Sequence, residues 1–198
     1  LSNSLKKEGY DVLVFMASND DQSTEEVIQE LLDYQVDGII TASVSISNDL
    51  TARCEAAGVP VVLFNRTQDK ATHSAVTSDN FEGGKTAAKF LCQAGHKRIA
   101  YIGGWAGAST QRDRETGFRM GLKDFKKSLF SHALGNFSTE TAKTVTREMF
   151  AGTQKPDAIF VATDHMAFAV IDVLRSELNL GIPNDVSIVG YDDSPPAS

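Results

Sequence analysis

Gly95-His96-Lys97-Arg98-Ile99-Ala100-Tyr101-Ile102-Gly103-Gly104, with Arg112-x-Arg114-x-x-Gly117-Phe118 close behind, decides how this chain folds. A glycine stop, a short continuous apolar run, a glycine-containing loop and a new helical segment follow one another. An apolar run of four to eight residues between turn signals suits a strand buried on both faces. The helix that follows begins at Arg112 on this reading, with Arg114 in its first turn at the strand's carboxyl end. Ile182-Pro183-x-Asp185-Val186-Ser187-Ile188-Val189-Gly190-Tyr191-Asp192-Asp193 repeats the logic and delivers two carboxylates to the same kind of edge.

Outward from these stretches, apolar runs alternate with helix-period segments. Strands are expected over Val12–Met16, from Gly38 onward, over Val59–Phe64, Ile99–Ile102, near Ala133, over Ala158–Ala162 and over Val186–Val189. Helices are expected after Ser23-x-x-Glu26 (a capping-box pattern), and over Asp49–Ala57, Asn80–Ala94, Arg112–Phe125, Thr139–Phe150 and His165–Leu178. Continuous apolar strands separated by helices mean an α/β fold with parallel strands covered on both faces. Seven parallel strands in series divide more naturally into two doubly wound sheets, with the seam at Val76-Thr77-Ser78-Asp79.

The 198 residues are 41% hydrophobic and 23% charged, enough for a real core. A net charge of −7 gives no basic nucleic-acid footprint, so any DNA contact would lie outside these residues. No apolar run approaches the roughly 18 residues of a membrane span. Cys54 and Cys92 lack metal spacing, and two lone thiols suit a reducing cytoplasm. Leu1–Gly9 reads as the last turns of a helix with a glycine stop, and the chain ends just after a strand, so it reads as a fragment incomplete at both ends.

Ligands of open α/β sheets bind outside the carboxyl ends of the strands. The residues there are Ser18-Asn19, Ser43 to Ser47, Asn65-Arg66, Trp105, Phe137, Thr163-Asp164 and Tyr191-Asp192, a set of amides, hydroxyls, aromatics and charges. Arg114 donates bidentately and Asp192 accepts two donors, so the pair can grip a small polar ligand. A cation in the first turn works against the helix dipole, which argues for a binding role. Strand alternation would aim Asp192 and Asp193 oppositely. Asp164 is most simply an N-cap for a helix starting at His165, Phe137 suits the core as well as a stacking face, and Arg112 suits the surface. The nucleophile-elbow, P-loop, dinucleotide and zinc-protease motifs are all missing. The reading is a binder without catalytic residues, metal or cofactor, in which Arg114→Ala abolishes the ligand response and leaves the fold intact.

GHKRIAYIGG, RDRETGF, DAIFVATDHMAFAVIDVL and IPNDVSIVGYDDSP, in that order, resemble the LacI/GalR family of bacterial transcriptional regulators. The resemblance implies a periplasmic-binding-protein-like (type I) architecture. Residues 1–78 would be an N-terminal effector-binding subdomain lacking its first strand, 79–191 the C-terminal one, and 192–198 the start of the return crossover. It also implies a small-molecule effector, a sugar or sugar derivative, held between the subdomains and biasing their angle. Operator DNA would be bound through an N-terminal helix-turn-helix domain outside these residues, by a cytoplasmic homodimer with no membrane partner. The family's effector contacts correspond to Arg114, Asp192, Phe137, Thr163 with Asp164, and the hydroxylic positions Ser43, Ser45 and Ser47. The alternative is a periplasmic sugar-binding protein of a transport system.

Overall fold

Parallel strands cannot be joined by a tight turn, and the helices between them supply the crossovers. The computed structural model describes residues 1–17, 21–44, 46–68 and 73–195. The chain divides into two units, Leu1–Val76 and Thr77–Ser198, with one parallel sheet each.

In the first unit, helices α1 (Ser2–Lys7), α2 (Asp21–Asp33) and α3 (Asn48–Ala56) accompany strands β1 (Ile39–Ala42), β2 (Val61–Phe64) and β3 (Ser74–Val76). The strand order is β1-β2-β3. Ile28, Ile39, Leu50, Cys54, Val61 and Leu63 carry its core. Helix α1 ends as the Gly9 signal implies: Gly9 adopts φ 87°, and its N–H reaches Lys6 O. Ser47 Oγ accepts from Leu50 N at 3.2 Å and caps α3, so this hydroxyl is spent on the backbone.

Two expectations fail here. Val12–Met16 forms no strand, and Val14 and Met16 are 79% and 86% exposed. A strand is stabilised by its ladder, and the order β1-β2-β3 gives this run no partner among the described residues; an apolar run alone does not supply one. Helix α2 starts at Asp21, which puts Ser23 inside its first turn and not at the cap.

The second unit runs α4 (Asn80–Gln93), β4 (Ile99–Gly103), α5 (Ser109–Asp124), β5 (Ser131–Leu134), α6 (Thr139–Phe150), β6 (Ala158–Val161), α7 (Asp164–Asp172), a π-helical turn (Val173–Glu177) and β7 (Ser187–Val189). Its order is β5-β4-β6-β7. Every residue of the central strands β4 and β6 is buried, which accounts for their unbroken apolar sequences. Tyr101, Phe118 and Phe160 form a ring cluster with centroids 4.7–5.6 Å apart. From β4 the chain turns one way to β5, and from β6 the other way to β7. The sheet therefore reverses its winding between β4 and β6, and a crevice opens outside their carboxyl ends.

Helix α5 begins at Ser109, three residues before the expected start, so Arg114 stands in the second turn and the dipole reading weakens. Helix α7 begins at Asp164 with Thr163 at the cap position, so Asp164 is not the N-cap. The helical stretch ends at Glu177, but its last five residues form a π turn.

Helices α4 and α5 pack backbone to backbone. A Cβ on Gly84 would stand 2.1 Å from Arg114 O, and one on Gly117 would stand 1.9 Å from Phe81 O. An alanine in a helix interior ordinarily gains about 1 kcal/mol over glycine, whereas forced overpacking costs about 1–3 kcal/mol or more. Gly117→Ala is therefore expected to lower the melting temperature. A variant melting at or above the parent would show that the two helices do not approach this closely.

Candidate functional site

The crevice between β4 and β6 is built around one buried arginine. Arg114 is 5% exposed. Its Nη1 donates to Ala162 O at the end of β6, and Nη2 donates to Asn80 Oδ1 at 2.6 Å. The guanidinium carbon stands 3.4 Å from the centre of the Tyr191 ring, where charge and quadrupole attract. Asn80, the first residue of α4, is buried and held by its own bonds to Thr77 Oγ1 and Ser78 O. Gly83 leaves the space that Tyr191 fills, since a Cβ there would meet its hydroxyl oxygen at 2.4 Å. Arg114 Nε is buried and finds no hydrogen-bond partner among the described residues. Burial lowers the guanidinium pKa, and Tyr191, Tyr101 and Asp192 oppose that shift.

Asp192 lies beyond β7, in a loop where both it and Asp193 take left-handed backbone angles (φ 120° and 63°). Strand alternation therefore does not decide their directions. Although Asp192 as a residue is open to solvent, desolvation of its carboxyl raises the pKa. The Arg114 charge and the Asp164 backbone N–H pull the other way. Asp164 is buried, and its Oδ2 accepts from Ser194 N at 2.7 Å. Its N–H reaches Tyr191 O at 2.9 Å, and Gly190 leaves room for its Oδ1. Asp164 thus fastens the segment after β7 to the start of α7. Thr163 is 8% exposed, and its Oγ1 has no hydrogen-bond partner among the described residues. A buried polar atom left in this way calls for an explanation.

Phe137 is half-buried, with its ring against Gly104, where a Cβ would lie 2.2 Å from Cε1. It packs partly on the core, so both expected roles have a physical basis. His165 Nε2 donates to Phe137 O at 3.1 Å, which places the proton on that nitrogen. Arg114, Asp192, Asp164 and, through His165, Phe137 thus form one connected group in the second unit, with Thr163 adjoining it. Ser43 belongs to the first unit. It is exposed, takes φ 61°, and its Oγ accepts from Asn65 Nδ2 at 3.1 Å. Ser18, Asn19 and Ser45 lie outside the described residues. Arg112 is exposed and donates to Gly107 O. Asn80 and Gln111 were missed as site residues: both are bland in sequence, and only tertiary contact brings them to the crevice. Among the described residues no group of His, Cys, Asp and Glu could hold a metal ion, and no helix is long and apolar enough to cross a membrane.

A model of the periplasmic binding protein domain matches residues 1–197. The chain belongs to this family. Among curated proteins, this periplasmic binding protein domain is 25% identical over 190 residues to the HTH-type transcriptional repressor PurR of Vibrio atlanticus, covering 94% of the chain and 57% of the relative. It is 33% identical over 165 residues to the HTH-type transcriptional regulator CelR of Thermobifida fusca, covering 80% and 48%. The chain thus spans about half the length of the curated relatives it matches. A crystal structure of a LacI family transcriptional regulator from Enterococcus faecium with bound ribose superposes with a TM-score of 0.84 at 26% identity, covering 97% of this domain and 70% of that chain. The LacI/GalR resemblance and the two-sheet architecture read from the sequence are borne out. These two relatives are a transcriptional repressor and a transcriptional regulator of the HTH type.

Two outcomes follow for the site. Arg114→Ala strands the Ala162 and Asn80 acceptors in a buried place, so it is expected to cost at least about 2 kcal/mol. Denaturant melts check that loss against the expectation that the fold stays intact. Burial raises the Asp192 pKa, so its protonated form favours the folded state. That contribution is complete at low pH and is lost as pH rises through the shifted value. Asp192→Asn is therefore expected to melt at or above the parent at pH 7, with the difference closing below about pH 3.5. A variant less stable than the parent at pH 7 would overturn this.

Proposed function

We propose that this chain is the effector-binding and dimerisation core of a LacI/GalR-type transcriptional repressor that senses a small sugar or sugar derivative. The observation that carries the reading is the Arg114–Asp192 pair at the crevice between β4 and β6. A fixed cation and an open carboxylate stand beside two buried polar groups, Arg114 Nε and Thr163 Oγ1, that no described residue satisfies. Such an array suits a polyol, whose hydroxyls each donate and accept, with Phe137 as the face against which a sugar ring stacks. In this assignment Arg114, Asp192, Phe137, Thr163, Asp164 and Ser43 are the ligand-binding residues. The ribose bound to the Enterococcus faecium regulator supports a sugar as the ligand class, and the regulator names of the curated relatives support repression over transport.

On the same reading, residues 1–78 and 79–191 are the two effector-binding subdomains, and 192–198 opens the return crossover. The protein has no enzymatic step, works in the cytoplasm as a homodimer, and contacts operator DNA through a domain outside these residues. Ligand and DNA affinities are then reciprocally coupled, typically by about 1–3 kcal/mol.

Titration calorimetry with D-ribose and a panel of pentoses and hexoses tests the ligand class. At least one sugar is expected to bind the parent, and Asp192→Asn is expected to lose about 10-fold or more in affinity, about 1.4 kcal/mol, while keeping its melt. Failure of every sugar to bind would remove the assignment, as would unchanged affinity in the variant.

A further inference from the structure

Gln111 is the most deeply buried amide side chain of the second unit, 1% exposed, and the proposed ligand contacts do not use it. Its Oε1 accepts two hydrogen bonds, from Gly104 N at 2.7 Å and from Tyr101 Oη at 2.8 Å. Its Nε2 donates to Glu115 Oε2 at 3.1 Å. The Gly104 N–H can only donate and the Glu115 carboxylate can only accept, so the amide can face one way only. Glu115 is held in turn by Arg119 at 2.7 Å and His132 at 3.3 Å. The chain of bonds runs from the surface of α5 to the backbone at the carboxyl end of β4.

That backbone is the seat of Phe137. A Cβ on Gly103 would meet Gln111 Nε2 at 2.5 Å, and one on Gly104 would meet the Phe137 ring at 2.2 Å. Gln111 therefore grips one residue and the aromatic ring rests on the same residue. Gln111 and Arg114 are three apart in α5, so they share a helix face. One face of one helix thus fixes the arginine directly and the aromatic ring at one remove.

We propose that Gln111 is a positioning residue for ligand selection: it sets the Gly103-Gly104-Trp105 loop and, through Gly104, the plane of Phe137 on which a sugar ring stacks. The stacking half of this rests on the sugar-binding reading above; the loop-setting half does not. A stacked ring is selected by the tilt of its partner, so loosening the Gly104 anchor lowers affinity without removing a ligand contact.

Trp105 is the single tryptophan of the chain and sits in this loop, so its fluorescence reads the anchor without any ligand. In Gln111→Met, which keeps the bulk and loses all three hydrogen bonds, Trp105 emission is expected to shift to the red and its quenching by acrylamide to rise. Glu115→Ala, at a position only partly buried, leaves the core alone and is expected to give a smaller change in the same direction. If Gln111→Met does not fold, Glu115→Ala decides alone. Unaltered Trp105 emission and quenching in the folded variants overturn the proposal whether or not any sugar binds. D-ribose titrations then test stacking: Gln111→Met is expected to weaken binding about 10-fold in the parent, but by less than about 2-fold when Phe137 is already Ala. Equal losses in the two backgrounds overturn the route through Phe137. If D-ribose does not bind the parent, the same titrations use whichever pentose or hexose of the panel does; if none binds, the sugar reading fails and the fluorescence result still decides the role of Gln111 in the loop.

Discussion

A guanidinium out of reach of bulk water organises the second unit. Arg114 reaches back to the first residue of α4 and across to the last turn of backbone after β6, and it lies on a ring delivered by the segment after β7. Burying a charge is unfavourable unless hydrogen bonds and attraction offset it. Each of the three neighbours supplies part of that offset, so they must stand in register with one another. Close approach of α4 and α5 through Gly84 and Gly117 sets the depth at which the arginine sits. The winding reversal between β4 and β6 provides the crevice that it lines.

The same constraint explains the division of labour among the acidic groups. Asp164 is turned inward and spent on the backbone of Ser194, which closes the segment after β7 against α7. Asp192 is left with a desolvated carboxyl in the field of Arg114. The two carboxylates take different tasks: Asp164 is bonded to the Ser194 backbone N–H, whereas Asp192, open to solvent as a residue, lies in the field of Arg114 and beside the Asp164 N–H. A desolvated carboxyl beside a fixed cation, in a crevice where Arg114 Nε and Thr163 Oγ1 also lack partners among the described residues, is the usual mark of a site kept for something else.

Much of the fold was legible because β4 and β6 are buried on both faces and so are apolar without alternation. The failures have physical causes. Val12–Met16 is as apolar as β4, yet burial depends on a neighbour that a local sequence does not reveal. Helix α5 starts ahead of Arg112, at Ser109 to Gln111, which are polar in sequence yet buried in the structure, and the Gln111 bond to Tyr101 of β4 is a tertiary contact. At the site, Arg114 and Asp192 could be picked out by their positions after strands. The roles of Asn80, Gln111 and Tyr191 could not, since each is defined by contacts across 7 to 34 residues or more. Asp164 was misread as a cap by one residue, and that single position changes which groups its carboxylate meets.

The left-handed angles at Ser43, Asn65, Asn136, Phe137, Asp192 and Asp193 recur where strands β1, β2, β5 and β7 give way to loops. That region of backbone space admits glycine, asparagine and aspartate far more readily than branched or bulky residues. The alphabet open to drift at these places is therefore short, and Phe137, a bulky ring at φ 56°, stands there against that preference. A lineage that changes its ligand meets less resistance by altering side chains on regular backbone, such as Thr163, than by replacing those at the bends. The bends thus act as a filter on innovation: each restricts its own position, while neighbours on regular backbone are free to redefine the shape of what fits.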